Sequence, residues 1–507
     1  MRRNAALGLI VGLVASIAGG ALVVAAPELV YSAFVPPVIP ADAAGPILFE
    51  AKVAGSPTRV VLVLNVRDGS TSDRGLRDDG TGGDRVRGDS VYTLSLAASD
   101  IVPLLKSDDV FRAEVGYVEI YDGTTLAIRG NVFADILTSD IPLLPVTSLA
   151  ADAHRTDYLV NLVDRDFVLT NGFDIATVLR RFYDLFPDDF DFVSVVAVPS
   201  YFRNRYHFAV KSDVRGIGIT PFDTSRTYGS AGRLLGITMF PNGSLFDPAE
   251  AAFQHELGHQ WINFLPFAPL NYAIPHWPLS DLASGIMGFA EAQGGQGLQF
   301  PCIVVPAAGG ATLEQRYDAP VFTDLDLYLM GFLPADQVGP HVIFPRGTQS
   351  SDLFSVCGSG PWRGPLQTVT IQDIVRQVGA RVPDAAHSAH AFRVATIIVS
   401  PDGLLSREAM AFYSYFARRA EATQEMLYHS GFAKGTAKPF ALSTRGLGTL
   451  DARIDATAGA TATTFDAVRF ADILARSGSV SATAINGSDL TPGTVFFYIT
   501  GALPRED

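Results

Sequence analysis

The chain has 507 residues, 48% of them hydrophobic and 10% aromatic, which is ample for folded domains and too long for a single core, so two or three domains are expected. Charged residues make up only 18%, the net charge is −14, and no basic run is long enough to neutralise phosphates, which excludes a nucleic-acid groove. Abundant Gly (47) and Pro (31) beside so little charge suit a loop-rich extracellular protein.

Arg2 and Arg3 precede an uncharged run over 5–26 rich in Leu, Val, Ala and Gly, the pattern of an export signal or a retained signal anchor over residues 1–26. Cleavage sites after Ala26 or Ala43 are both imperfect, Pro27 disfavouring the first. Cleaved or retained, the positive end stays inside and sends the rest outward. A secreted or cell-surface protein is expected, touching the membrane only through this segment if it is uncleaved.

Residues 27–45, rich in Pro and Ala, read as a linker. Over 46–148 short alternating apolar runs separated by turn residues predict a β-sandwich; examples are Val60-Val61-Leu62-Val63-Leu64 and Val91-Tyr92-Thr93-Leu94. Within it, Asp78-Asp79-Gly80-Thr81-Gly82-Gly83-Asp84 and Gly88-Asp89-Ser90 look like a signature of immunoglobulin-like modules of secreted bacterial proteins. The oxygen-rich spacing could hold Ca2+; two tight turns with Asp caps and Gly at positive φ are the plainer reading.

From 153 to 455 the pattern is mixed helix and strand. A helix is predicted over 175–186, a continuous apolar strand over 192–198, and further strands over 206–210 and 234–240. Asp247 and Pro248 then read as the cap and first turn of a helix that must stop before Pro266. His207 falls in a predicted strand and reads as structural. Residues 366–424 alternate helix and strand, and 456–507 read as a linker with a C-terminal tail or small β module. No internal repeat is evident.

The central stretch is His255-Glu256-Leu257-Gly258-His259. On a helix, positions four apart share one face, so both imidazoles can reach one ion while Glu256 sits beside it as a base. This H-E-x-x-H arrangement resembles the active-site helix of the zincin metallopeptidases. A catalytic zinc site needs a third protein ligand and one open position. The place of the third histidine in metzincins, six residues after the second, holds Leu265 here. His276, seventeen residues on, is the preferred ligand; Asp281 and Glu291 are the alternatives.

Ser284-Gly285-Ile286-Met287-Gly288 resembles the Met-turn of metzincins, whose methionine packs beneath the imidazoles; an ordinary turn with a core Met is the alternative. Together with Asp324-Leu325-Asp326-Leu327-Tyr328-Leu329-Met330-Gly331, these motifs resemble a group of poorly characterised exported bacterial proteins with metallopeptidase motifs, over roughly 155–455. The resemblance implies a zincin-like α+β catalytic domain behind an immunoglobulin-like sandwich, with Zn2+ on His255, His259 and His276 and Glu256 as general base. Met287 and Tyr328 are its supporting candidates, Tyr328 as an oxyanion donor or, more plainly, a packing residue. Protein or peptide is the implied substrate. A catalytically silent binding protein, or a hydrolase of a non-peptide amide or ester, are the rival functions. Cys302 and Cys357, an even pair in an exported chain, are expected to form one disulfide, two buried thiols being the alternative.

Overall fold

The computed structural model describes residues 26–454 apart from 66–69, 102–111, 138–140, 170–173, 200–204, 242–251, 289–299, 301, 316–319, 355–356, 359, 425 and 430–433. The expected export segment up to residue 25, the helix opening at Asp247 and Pro248, Glu291 and the tail over 456–507 lie outside the described residues. Among those described, no helix is long and apolar enough to cross a membrane. The protein is mixed α/β and rich in strands, which form several sheets.

The N-terminal strands are β1 (Glu28–Val35), β2 (Val38–Pro40), β3 (Pro46–Ala54), β4 (Arg59–Asn65), β5 (Thr71–Gly75), β6 (Val91–Ala97), β7 (Arg112–Asp122) and β8 (Thr125–Leu137). They form a three-stranded sheet ordered β1-β3-β6 and a five-stranded sheet ordered β2-β8-β7-β4-β5. Alternate residues of both sheets, among them Phe34, Phe49 and Val53 from one and Leu62, Val118 and Ile136 from the other, share one core.

This corrects the expected linker over 27–45. β1 pairs antiparallel with β3, Glu28 opposite Ala54 through Val35 opposite Leu48, and β2 runs parallel to β8. Proline and alanine dominate the composition there, yet Tyr31, Phe34, Val38 and Ile39 are buried, and Phe34 packs on Phe49 with ring centroids 5.2 Å apart. Tyr31 and Val38 join cores of the following region. The N-terminal sheets are thus anchored to the rest rather than tethered.

An eight-stranded sheet organises that rest. Its strands are β9 (Thr147–Ala150), β10 (Ala153–Arg155), β11 (Val160–Val163), β12 (Phe192–Ala197), β13 (Tyr206–Ala209), then, after the small pair β14 (Lys211–Ser212) and β15 (Phe222–Asp223), β16 (Gly236–Pro241). The small strands β17 (Cys302–Ala307), β18 (Gly310–Gln315), β19 (His341–Ile343), β20 (Gly360–Trp362) and β21 (Gln367–Val369) come before β22 (Ala391–Ser400), which rejoins the large sheet. Its order is β13-β16-β12-β22-β11-β10-β9, with Thr449–Asp451 pairing β22 beside it.

β12 is buried throughout, and apolar except for Ser194, because both its faces are covered. Val193 and Val195 face helix Ile175–Leu185, through Val178, Leu179 and Phe182. Phe192 and Val196 face the opposite layer, which holds helices Ala252–Gly258, Asp324–Met330 and Arg407–Arg418. The edge strand β13 runs antiparallel to β16, so one end of an otherwise parallel run is reversed beside helix Ala252–Gly258.

Candidate metal centre

Helix Ala252–Gly258 turns Ala252 and Leu257 into the core, which leaves His255 and Glu256 on another side of the turn, both buried. The assigned helix ends at Gly258, earlier than the sequence suggests. Backbone bonds from His259 to Glu256 and from Gln260 to Leu257 carry the winding one turn further, so His259 still stands above His255. Gly258 suits the packing here: a Cβ would lie 2.5 Å from the sulfur of Met287 and 3.1 Å from the Phe322 ring, so the methionine would have to shift.

The third imidazole arrives on the loop behind the helix. Buried Asn263 gathers that loop: its side-chain amide donates to the carbonyls of Leu270 (3.0 Å) and His276 (3.2 Å), and its N–H donates to the Pro275 carbonyl. Trp277, wholly buried, donates its indole N–H to Asp326 Oδ1 at 2.6 Å and its backbone N–H to the Met287 carbonyl. His276 is thereby fixed between two anchored neighbours. Its ring lies 5.0 Å from those of both His255 and His259, centroid to centroid.

The Nε2 atom of His255 lies 3.1 Å from Nε2 of His259 and 3.1 Å from Nε2 of His276. His255 Nδ1–H donates to the Ile286 carbonyl at 2.8 Å, and His259 Nδ1–H to the Ile262 carbonyl at 3.1 Å. Each of these bonds fixes the tautomer that leaves Nε2 with a lone pair directed into the cluster. Burial is the first cause that holds His255 and His276 well below the ordinary imidazole range and His259 down to about 4, and neighbouring positive charge adds to it. Three neutral imidazoles with converging lone pairs are a ligand set that could hold a metal ion. Tetrahedral zinc with Zn–N near 2.0–2.1 Å spaces its nitrogens by roughly 3.3 Å, close to the spacing here.

Other sequence candidates fall into place around this group. Met287 packs under Gly258, and its turn also supplies the carbonyl of Ile286 that orients His255. The hydroxyl of Tyr328 accepts the backbone N–H of Arg381 at 3.0 Å within the core. Asp281 is committed elsewhere, to His341 Nδ1 at 2.9 Å and the Val342 N–H at 3.0 Å. Burial raises Asp326 to about 6 despite the Trp277 bond, and its second oxygen closes a capping box with Thr323. Cys302 and Cys357 form the disulfide, Cα atoms 5.7 Å apart, tying β17 and its partners below the site loop.

His207 is structural in its contacts: Nε2 meets Gln260 Oε1 at 2.9 Å, while Gln260 donates to the Lys211 carbonyl at 2.8 Å, stapling the edge strand to the end of the site helix. In the N-terminal sheets, Asp78, Asp84 and Asp89 lie close enough to hold a cation. Their oxygens accept backbone N–H groups of Gly80, Val86, Gly88, Ser90 and Val91, the bonds expected of two tight turns.

Sequence reasoning missed Arg205. Its Nε–H donates to Glu256 Oε1 at 3.1 Å, and the two side chains are 3% and 5% exposed. No local pattern announces a partner 51 residues away. Comparison with protein families, with curated proteins and with solved structures finds no match to this chain.

Proposed function

We propose that the protein is an exported zinc-dependent metalloendopeptidase, with β1–β8 as an immunoglobulin-like sandwich and the eight-stranded sheet and its helices as a zincin-like catalytic domain. The observation that carries the reading is the convergence of Nε2 of His255, His259 and His276, with Glu256 next in sequence to the first. Zinc held there would polarise both a water molecule and a substrate carbonyl. Glu256 takes the proton of that water and returns it to the leaving amine. β13, last in the sheet and stapled to the site helix through His207 and Gln260, offers its backbone to an extended peptide. The disulfide accords with an oxidising compartment.

The test is the metal content of the purified protein together with casein or peptide cleavage, with and without chelator. Glu256→Gln is expected to keep the metal and lose cleavage by about 10²–10⁴-fold; a variant that cuts at the parent rate overturns the assignment. A catalytically silent surface-binding protein is favoured by one observation, the engagement of Glu256 by Arg205. Cleavage that chelator abolishes excludes it.

A further inference from the structure

Arg205 immediately precedes β13, and its buried guanidinium meets Glu256, the residue next in sequence to His255. A buried guanidinium at this place opposes any cation bound among the histidines, so its presence needs a compensating role. Its Nε–H bond to Glu256 suggests that role. Held there, Glu256 stands outside the group of converging nitrogens formed by His255, His259 and His276. A carboxylate released next to His255 has the chemistry of a fourth ligand, and a site closed by four protein ligands is structural rather than catalytic. Helix spacing sets Glu256 beside the ion, and the Arg205 bond holds one of its oxygens there. A planar guanidinium fixes a carboxylate's plane as well as its charge, which an ammonium does not.

We propose that Arg205 is a positioning residue that keeps Glu256 off the bound ion, preserving the carboxylate as a base and the fourth coordination position for solvent. This rests on the three-histidine metal reading. It assigns the buried ion pair a function in the working enzyme, whereas a silent protein would use it only to neutralise charge.

Full-length parent, R205M, E256Q and R205M/E256Q, stripped of metal, would be titrated with Zn2+ by chelator competition and loaded with Co2+ for absorption spectra with and without azide. Azide should change the parent spectrum, because the fourth position exchanges. In R205M the released carboxylate takes that position. The azide response is then lost, Zn2+ affinity rises by about tenfold because ligand charge tunes affinity, and kcat falls by about 10²-fold as a general base is withdrawn. The double variant should bind Zn2+ as E256Q does and recover the azide response. An affinity gain of equal size in the E256Q background would make Arg205 a source of long-range repulsion only, and an azide response retained in R205M would equally overturn the proposal. If R205M does not fold, R205K keeps the buried charge. It should show a partial loss of the azide response, and an unchanged response refutes the role. A parent that takes up neither ion overturns the metal reading and this role with it.

Discussion

Two histidine centres stand close together in the chain and obey opposite rules. At the first, His255, His259 and His276 face one another, and the Nδ1 atoms of the first two are satisfied by backbone carbonyls. At the second, His341 is clamped between Asp281 (Nδ1 to Oδ2, 2.9 Å) and Asp324 (Nε2 to Oδ1, 3.3 Å). Burial acts on both in the same direction, against the imidazolium. The carboxylates reverse the outcome at the second: His341 is raised to about 9 and Asp324 is held down to about 2. Partner chemistry, and not burial, decides whether a histidine is a neutral ligand or a fixed cation.

Removing one member of each centre should separate them most sharply. His276→Ala deletes a donor from the convergent set, and Zn2+ affinity should fall by more than the roughly 10–100-fold that loss of an outer partner costs. Stability of the metal-free protein should barely change, since three mutually repelling lone pairs become two. His341→Ala does the reverse. It leaves Asp281 and Asp324 facing each other without a cation, at a cost of about 3–5 kcal/mol in folding free energy. Urea unfolding and Zn2+ titration of the two variants check both halves, and equal destabilisation of the metal-free proteins would erase the distinction.

The same contrast has a pH signature. The folded pKa of His341 lies above its unfolded value of 6.5, so its stabilisation is fully present below about pH 6.5 and is lost as pH rises through about 9. A shift of that size corresponds to about 3 kcal/mol. Thermal unfolding of the metal-free parent between pH 6 and pH 10 should therefore show a decline that His341→Gln lacks. A parallel decline in both would assign the loss to other groups.

How much of this was legible beforehand follows from the range over which each residue acts. The spacing of His255 and His259 is a statement about one helical turn, and a sequence displays it directly. The strands at 192–198 and 206–210 and the helix at 175–186 were readable for the same reason, because their apolar periods are local. His276 could be named by ligand chemistry, but what returns it to the helix is Asn263, whose side chain bonds across the loop. Arg205 acts on a partner 51 positions away and carries no local mark, and Asp326, though its spacing from Thr323 marks a helix cap, gives no local sign of its bond to Trp277 49 positions away. The segment at 27–45 was misread because proline and alanine are its commonest residues, while β1 buries only Tyr31 and Phe34, three apart and in different cores, and so shows no period-two pattern.

The smallest effect concerns how firmly the first centre is held. Where carboxylates brace His341, shape braces the site helix: Gly258 leaves room for Met287, whose sulfur would stand 2.5 Å from any added Cβ. Gly258→Ala would gain about 1 kcal/mol of helix propensity in an open helix. Here overpacking against Met287 should cost about 1–3 kcal/mol and leave the variant slightly less stable than the parent. The displaced turn carries His259 with it, so Zn2+ affinity should drop as well. Shortening the methionine in G258A/M287A removes the sulfur contact, and since Met287→Ala alone should cost about 2–5 kcal/mol, the double variant should lose less stability than the two single losses added together. That shortfall is the discriminating result, since a glycine needed only for backbone freedom would give additive losses.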